Sequence, residues 1–201
     1  MNTDLHRVMH GVAIRKHGDA SAIAGLAGLA VAKVTNVLTG AVTAGRVAEV
    51  DGKYMLTPCG QMMLAGEYSR FNDALRANTD FRAAYQRFEV INKDLKQLIT
   101  DWQTMDLGGK RVANDHSNRD YDERVIGRLG DLHERFEPIL NKLCAGEPRL
   151  TVYSDKLGVA LEKAEDGDLA WVSDAKLDSY HTVWFELHED LLRILGHVRE
   201  E

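Results

Sequence analysis

The segment Ala20–Gly60 constrains the fold more than any other part of the chain, because start and stop signals for several short elements follow one another in it. A short, small-residue helix is predicted at Ala20–Gly25, and a tight turn containing Gly28 follows it. A second helix is predicted at about Val31–Ala44, with one apolar face and with Gly45 at its end. That apolar face consists of Val31, Val34, Leu38, Ala41 and Val42.

A hairpin and a third helix complete the segment. Arg46–Val50 and Lys53–Leu56 are two short alternating runs around Asp51-Gly52, a two-residue hairpin signal because glycine tolerates positive φ. In Thr57-Pro58-Cys59-Gly60, threonine is a good N-cap and proline suits the first helical position. The segment therefore predicts helix, turn, helix, two-stranded hairpin and helix.

Helical periodicity dominates the rest of the chain. We expect a first helix at Asp4–Lys16, with His6, His10 and His17 facing solvent or capping the helix. After Gly60 no strand-like alternation is evident. The polar stretch Asp106–Asp120 is predicted to be a long loop, and the helix after it to be kinked or interrupted near Glu137-Pro138. The further predicted helices are Gln61–Arg76, Asp80–Met105, Tyr121–Cys144, Ser154–Asp166, about Asp168–Val172, and Leu177–His197.

Composition excludes some classes of protein. The chain has 201 residues, of which 44% are hydrophobic, and no apolar run is long enough for a membrane span. Residues 1–7 lack a signal-peptide core, so a cytoplasmic protein without a membrane partner is expected. The two cysteines, Cys59 and Cys144, lack CxxC spacing and are expected to be free thiols. Cys59 could sense oxidants, although a packing or incidental role is the plainer interpretation.

Charge is unevenly distributed along the chain. The net charge is −6, yet residues 1–60 carry six Lys and Arg against four Asp and Glu, whereas the remainder carries 19 against 27. A mildly basic head on an acidic body fits a small DNA reader attached to a regulatory domain. Because the basic excess is only two, a dimer would be needed to accumulate enough phosphate contacts.

The segment Leu5–Ala65 resembles the winged helix-turn-helix of MarR-like transcriptional regulators, through Ala44-Gly45-Arg46-Val47 and the wing sequence from Val50 to Gly60. The whole chain resembles actinobacterial MarR-type regulators with a helical C-terminal extension. The resemblance implies a mostly α protein, with an N-terminal winged helix-turn-helix and small β-hairpin wing at 1–77 and an all-helical effector and dimerisation domain at 78–201.

The second helix of the predicted winged helix would enter the major groove. On its polar face Thr35, Asn36 and Thr39 could reach base edges and Lys33 a phosphate, and Arg46 and Lys53 would let the wing touch the backbone or minor groove. The DNA-binding residues expected from the sequence are Lys33, Thr35, Asn36, Thr39, Arg46 and Lys53.

Two histidines lie on the apolar face of the terminal helix. His181 and His188 are seven residues apart, about 10.5 Å along a helix, so they cannot hold one metal ion as an i,i+4 pair can. Core histidines with buried partners, a ligand pocket, and a metal site for one of them are the three interpretations left open. A helical wheel places Thr182, Glu186, Glu189, Asp190 and Arg193 on the opposite, polar arc.

The loop Asn114-Asp115-His116 is followed by Tyr121-Asp122. It could supply polar partners to an effector pocket with apolar walls. The alternative is a solvated turn, since Asn and Asp favour turns. The ligand-binding residues of this hypothesis are Trp102, Asn114, Asp115, His116, Tyr180, His181, Trp184 and His188.

The segment Leu161–Leu191 also resembles the helical effector domain of FadR-like regulators, in which a metal-holding histidine follows a Gly-Asp. The matched positions are Gly167, Asp168 and His181, but the Asp-x3-His pair of that family is absent. We therefore expect no metal and no other cofactor. An enzyme is not expected either, because no GxSxG, Walker A, GxGxxG or HExxH motif occurs.

These observations predict a ligand-responsive transcriptional repressor. Its homodimer would read a palindromic operator in double-stranded DNA, and a small effector of unknown identity would bind the helical domain. The alternative from another class is a winged helix used for protein contact, in an adaptor or accessory subunit. A metal-dependent enzyme in the helical domain is a third hypothesis that no motif supports.

Overall fold

The computed structural model describes residues 4–198, with only the backbone of Leu107, and in that range the protein is mostly helical, as predicted. Residues 1–3 and 199–201, at the ends of the two predicted domains, lie outside the described range. The helices are α1 Asp4–Arg15, α2 Ala20–Ala27, α3 Val31–Thr43, α4 Pro58–Ala77, α5 Thr79–Gln103, α6 Arg119–Gly146, α7 Thr151–Glu165, α8 Ala170–Ser173 and α9 Tyr180–Leu195, with a 3-10 turn at Pro148–Leu150. The strands are β1 Val47–Val50, β2 Lys53–Leu56, β3 Thr104–Leu107 and β4 Lys110–Ala113.

The chain divides into two compact units. The first comprises Met1–Asn78 together with Glu186–Glu201, and the second comprises Thr79–Phe185. The predicted domain boundary lay between residues 77 and 78, one residue before the point at which the second unit begins. The C-terminal part of α9, expected in the helical domain, groups with the first unit. No single helix in the described part of the chain has both the length and the apolar composition of a membrane span.

The first unit is built around the helices α1 to α4. The α2 helix begins at the N-cap Asp19, whose carboxylate accepts from the Ala22 backbone N–H, and ends at Gly28 in the left-handed region (φ 61°). After a three-residue connection, α3 leaves at 108° to α2. Burial of apolar side chains from these helices forms the core, which includes Met9, Val12, Ile23, Leu38 and Leu64.

The hairpin β1–β2 has the predicted two-residue turn. Asp51 and Gly52 both have positive φ, 51° and 74°, which gives the turn the twist of the strands it joins. At its base, Thr57 accepts from the Gly60 backbone N–H as the N-cap of α4. Gly60 is required there, since a Cβ atom would lie 2.0 Å from the carbonyl oxygen of Arg46.

The prediction for two histidines of α1 is wrong. His6 and His10 are buried, at 2% and 3% exposure, because both lie on the side of α1 that packs inside the unit. The His6 Nδ1 atom lies 3.1 Å from a Glu67 carboxylate oxygen. His10 lies between the Tyr68 hydroxyl and the Asp190 carboxylate, at 2.8 Å from each. Hydrogen-bonding partners distant in sequence stabilise these buried rings.

The polar arc predicted for α9 is also partly wrong. Glu186 and Asp190 are buried, at 7% and 0% exposure, because partners from α1 reach them. The Arg15 guanidinium is 2.6 Å from Glu186, and His10 contacts Asp190. Conversely Phe185, on the predicted apolar arc, is 41% exposed. The helix thus buries charged residues on the side that an amphipathic pattern assigns to solvent.

The second unit pairs α5 and α6, with α7, α8 and the first turns of α9 against them in its core. Its predicted all-helical character is wrong at one place, where Thr104–Leu107 and Lys110–Ala113 form an antiparallel hairpin within and just before the stretch predicted as a loop. Gly108 and Gly109, with φ 64° and 83°, form its turn. The strands have only four residues each, so the alternation Thr104-Met105-Asp106-Leu107 is too short to distinguish a strand from the end of the preceding helix.

The helix α6 is longer than predicted. It runs from Arg119 to Gly146 with Pro138 inside it, so the interruption expected at Glu137-Pro138 does not occur. Pro138 is exposed, and the helix continues past it because Phe136 and Leu140, which flank it, are buried in the unit. Tertiary packing there outweighs the lost backbone hydrogen bond.

Candidate functional site

The exposed face of α3 carries the residues that the sequence analysis assigned to DNA. Lys33, Thr35, Asn36 and Thr39 are all exposed, while Val34, Leu38 and Ala41 on the opposite face are buried. This separation follows from the 3.6-residue period of the helix. Of the two wing residues, Lys53 is exposed at the start of β2 and Arg46 is half-buried before β1.

Three threonines form a row along this face. Thr35, Thr39 and Thr43 follow one another at four-residue steps, and each hydroxyl donates to the backbone carbonyl four residues earlier, at 3.0, 3.0 and 2.9 Å. Val31, one step before Thr35, was predicted on the apolar face, but that prediction is wrong because its side chain is 47% exposed. Because the hydroxyl hydrogens are engaged by the helix itself, the row offers mainly methyl groups to a partner.

The one cation of α3 has an intramolecular partner. The Lys33 ammonium lies 2.6 Å from the Asp4 carboxylate, and both side chains are substantially exposed. Exposed ion pairs of this kind contribute about 0–1 kcal/mol, so Lys33 can leave Asp4 for another anion at small cost.

In the second unit the structure brings together Trp102, Asn114 and His116 of the predicted pocket, around Asp122. The centroid of the His116 imidazole is 4.5 Å from that of the Trp102 ring, and the two rings are tilted by 37°. The His116 Nδ1 atom is 3.1 Å from a carboxylate oxygen of Asp122. Asp122 is only 2% exposed. We call these four residues the His116 cluster.

The hydrogen bonds of the Asn114 side-chain amide determine the tautomer of His116. The Asn114 amide oxygen accepts from the His116 backbone N–H at 3.1 Å, so its nitrogen carries the two donors. Those hydrogens go to the Trp102 carbonyl at 3.0 Å and to Asp122 at 2.8 Å. No amide hydrogen remains for His116, whose Nδ1–H must therefore donate to Asp122. In neutral imidazole the lone pair is then on Nε2.

The backbone at His116 is also unusual, since its φ is 59°. A left-handed conformation is uncommon outside glycine, and such residues cluster at ligand sites. The neighbouring Asp115 is exposed and does not join the cluster. The Ser117 hydroxyl and backbone N–H both donate to it, and these hydrogen bonds lower the pKa of the Asp115 carboxyl.

A cavity of about 430 Å³ adjoins the cluster through Asp122. It lies between the first turns of α6 and the end of α7, and its volume is in the usual range for small-molecule sites, about 300–1,000 Å³. Its walls combine apolar and charged groups; the sequence pointed to Asp122, next to the Asn114 loop, and to Gly167, in the FadR-like match, and the other lining residues were missed. The charged residues of the lining are Arg119, Asp122, Glu123, Glu165 and Asp166.

A second cavity, of about 560 Å³, lies in the first unit. The side chains that line it are mostly apolar, from α1, β2 and α4, with Lys16 and Arg193 as its cations. Arg193 is 2.8 Å from Glu189. No predicted ligand residue lines this cavity.

Tyr180 and Trp184, predicted for the same pocket, lie in a separate aromatic cluster of the second unit. The Trp184 ring packs on Phe88 and Phe136, and its indole N–H donates to Asn92 at 3.0 Å. Asn92 and Trp102 are ten residues apart on α5, about 15 Å along the helix. Trp184 therefore contacts the middle of α5, whereas the His116 cluster lies at its C-terminal end.

The Tyr180 hydroxyl contacts the His133 Nδ1 atom at 3.0 Å. Burial raises the pKa of Tyr180, which keeps its proton and donates. Burial also lowers the pKa of His133, more strongly than the carboxylates of Glu137, Glu165 and Glu134 raise it. His133 and Asn92 were missed by sequence reasoning, because nothing in their local pattern reveals a partner on a distant helix.

The two histidines of α9 differ in environment. His181 is half-buried, and burial lowers the pKa of its imidazole. His188 is 5% exposed and belongs to the part of α9 grouped with the first unit. Within residues 4–198 no three His, Cys, Asp or Glu side chains are arranged to hold a metal ion. Cys59 is exposed and Cys144 is half-buried; both are free thiols.

Comparison of the chain with protein-family models, with curated proteins and with solved structures finds no match. The geometry of the two units is thus the basis for a functional assignment.

Proposed function

We propose that this protein is a DNA-binding transcriptional regulator, whose first unit is a winged helix-turn-helix and whose second unit binds a small effector. The observation that carries the proposal is the arrangement of α2 and α3, which cross at 108° after a three-residue connection. Helix-turn-helix motifs join two helices at about 90–120° by a turn of this length. The second of them is exposed along the face that would enter the major groove.

The hairpin β1–β2 supports the wing assignment. It follows α3 directly, is closed by the tight turn Asp51-Gly52, and presents Lys53 to solvent. Its strand β2 is further held by a hydrogen bond from the Tyr54 backbone N–H to the Gly18 carbonyl, at 2.9 Å. A hairpin that is held close to its turn and exposes a lysine there can contact the phosphate backbone beside the groove.

The number of positive charges favours a dimer. Lys33, Arg46 and Lys53 are the cations assigned to DNA in each copy, and the chain as a whole has a net charge of −6. Two heads about one helical turn apart would double the phosphate contacts and read a palindrome. Ligand control of the spacing between the heads would make the protein a ligand-responsive repressor.

For the effector, the cavity beside Asp122 is the better supported of the two. Of the His116 cluster, Asp122 lines this cavity, and its buried carboxylate links the cavity to the His116 imidazole that Asp122 and Trp102 hold. Pockets for small molecules combine such fixed polar groups with apolar walls, here Ile126 and Leu169.

A protein-interaction module is the second candidate, and a specific observation favours it. The exposed face of α3 is uncharged except for Lys33, which Asp4 neutralises. Such a face would suit a protein partner as well as a base pair. The salt dependence of binding distinguishes the DNA-binding regulator from the protein-interaction module, since affinity for duplex DNA falls steeply as the salt concentration rises.

The decisive experiment selects duplexes from a random library at low salt and then measures affinity for the selected sequence against salt concentration. We expect an enriched palindrome and a steep negative slope. Lys53→Gln should make the slope of log affinity against log salt less steep by about one per head. The matched control is Lys93→Gln, which removes an exposed lysine of the second unit. Absence of any enriched duplex would reject the DNA-binding proposal.

The effector assignment has its own test. A metabolite collection is screened for compounds that raise the melting temperature and release the selected duplex. His116→Ala should abolish that release, and Trp184→Phe, in the separate aromatic cluster, should preserve it. Release that is insensitive to His116→Ala would move the effector site away from the His116 cluster.

A further inference from the structure

We propose that the exposed row of α3 recognises thymines, with the side chains of Val31, Thr35, Thr39 and Thr43 packing against thymine 5-methyl groups in the major groove. This inference rests on the proposed function and specifies the class of sequence that the same surface reads. It predicts operator half-sites rich in A·T pairs at the positions that α3 covers.

The row has the geometry of one ridge along the helix. Its four residues follow at i, i+4 steps, and each step advances about 6 Å along the axis. Base pairs are spaced about 3.4 Å apart along a strand. Successive members of the row therefore match roughly every second base pair.

The hydroxyl bonds decide what the threonines can recognise. Each hydroxyl hydrogen is donated to the helix backbone, at 2.9 to 3.0 Å. The side chains therefore cannot donate to the guanine or adenine acceptors in the groove without breaking that bond. What they retain is an exposed methyl group and an oxygen that can accept, and an apolar contact with the thymine methyl is an established mode of direct readout.

The other exposed side chains of α3 agree with A·T pairs. Asn36 is exposed beside the row, and asparagine pairs well with the N6 and N7 atoms of adenine. The helix contains no arginine and a single lysine, Lys33, which bonds Asp4. Arginine and lysine are the common readers of guanine, so the surface lacks the chemistry for G·C-rich steps.

The test changes one methyl at a time on each partner. On the DNA, each thymine of the selected half-site is replaced by deoxyuridine, which removes only the 5-methyl group. On the protein, Thr39→Ser removes the methyl group and keeps the hydroxyl. Thr39→Val keeps the methyl group and replaces the hydroxyl by a second methyl group. Affinities are measured at fixed salt for the full-length protein, after melting temperatures confirm that both variants fold.

We expect deoxyuridine at a contacted position to weaken binding about fourfold, the equivalent of ~0.8 kcal/mol for one buried methyl. Thr39→Ser should cost a similar factor and Thr39→Val little. On the duplex with deoxyuridine at the position facing residue 39, Thr39→Ser should cause no further loss, because the contact is already absent.

Three results would overturn the inference. Equal affinity for thymine and deoxyuridine duplexes, or equal losses for Thr39→Ser and Thr39→Val, would reject the methyl contact while leaving salt-dependent DNA binding intact. A selected half-site of G·C pairs would do the same. Failure to bind any duplex would reject the proposed function itself, and this inference with it.

Discussion

At the scale of single residues, Gly60 sets how closely the start of α4 approaches the strand before it. A Cβ atom at this position would lie 2.0 Å from the Arg46 carbonyl oxygen, a backbone atom that is also fixed by the Thr57 backbone N–H at 3.0 Å. We expect Gly60→Ala to lower the free energy of unfolding by at least ~2 kcal/mol, since the hairpin or the helix must shift. Denaturant titration measures the change.

Gly66, six residues later in the same helix, provides the matched control. A Cβ atom there meets nothing within 4 Å, and alanine is favoured over glycine inside helices by roughly 0.5–1 kcal/mol. Gly66→Ala should therefore stabilise the protein by about that amount. Equal effects of the two substitutions would contradict the close approach at Gly60.

His133 gives the second unit a dependence on pH. Burial lowers the pKa of His133 in the folded state, so the unfolded chain binds this proton more readily. Stability contributed by the neutral ring is complete above the unfolded pKa, about 6.5, and falls as the pH drops below it. Protonation would also remove the acceptor that the Tyr180 hydroxyl uses.

We therefore expect His133→Gln to lose less stability than the parent chain when the pH is lowered from 7.5 to 5. Urea titrations at several pH values measure this difference. His17→Gln, at an exposed position, should leave the pH dependence unchanged. A parallel decline in the parent and in His133→Gln would refute the role of burial.

At the scale of elements, α6 retains a proline at a position where helices usually end. Pro138 lies eight residues before the end of the helix at Gly146 and is exposed. A proline inside a helix removes one backbone hydrogen bond and clashes with the preceding turn. The helix persists because its apolar side is buried, with Phe136, Leu140 and Leu143 all at 1% exposure or less.

Replacing Pro138 by alanine should raise the stability of the protein, by between ~1 and ~3 kcal/mol, because the missing bond is restored and no packing is lost. Thermal unfolding detects the gain. Pro148, at the first position of the 3-10 turn, is the control, since a proline costs nothing there. No gain in Pro138→Ala would mean that α6 is already distorted at that position.

At the scale of the whole molecule, the first unit is discontinuous in sequence. It needs Glu186–Glu201, since Leu187, Asp190 and Leu191 are completely buried and Asp190 accepts from His10 inside it. In addition, the Arg76 guanidinium donates to the Ile194 carbonyl at 2.7 Å. A head cut after residue 78 would therefore expose part of its core.

We expect a fragment of residues 1–78 to unfold at a much lower temperature than the intact chain, or to lack a cooperative transition. A peptide of residues 186–201 added in trans should restore structure, measured by circular dichroism, and a scrambled peptide should not. A fragment that unfolds cooperatively without the peptide would show that the head is complete at residue 78.

The sequence by itself determined the elements whose signals are local. The turn Asp51-Gly52, the Thr57-Pro58 helix start, the glycine after α2 and the helical period of α3 and α5 each depend on neighbours within a few residues. Side-chain sterics and backbone hydrogen bonding act over that range. The exposed polar residues of α3 followed from the same period, whereas the exposure of Val31 did not.

Tertiary structure alone decided the features that depend on distant partners. Nothing near His10 in the sequence indicates that its buried ring will hydrogen-bond to Asp190. Nothing near Trp184 indicates that Asn92 will accept its indole N–H. The hairpin β3–β4 pairs Met105 with Val112 across strands of only four residues, and an alternation that short is hard to distinguish from the helical pattern around it. The predicted pocket was divided into separate clusters for the same reason: the periodicity of a helix gives the direction of a side chain, whereas packing decides which side chain it meets.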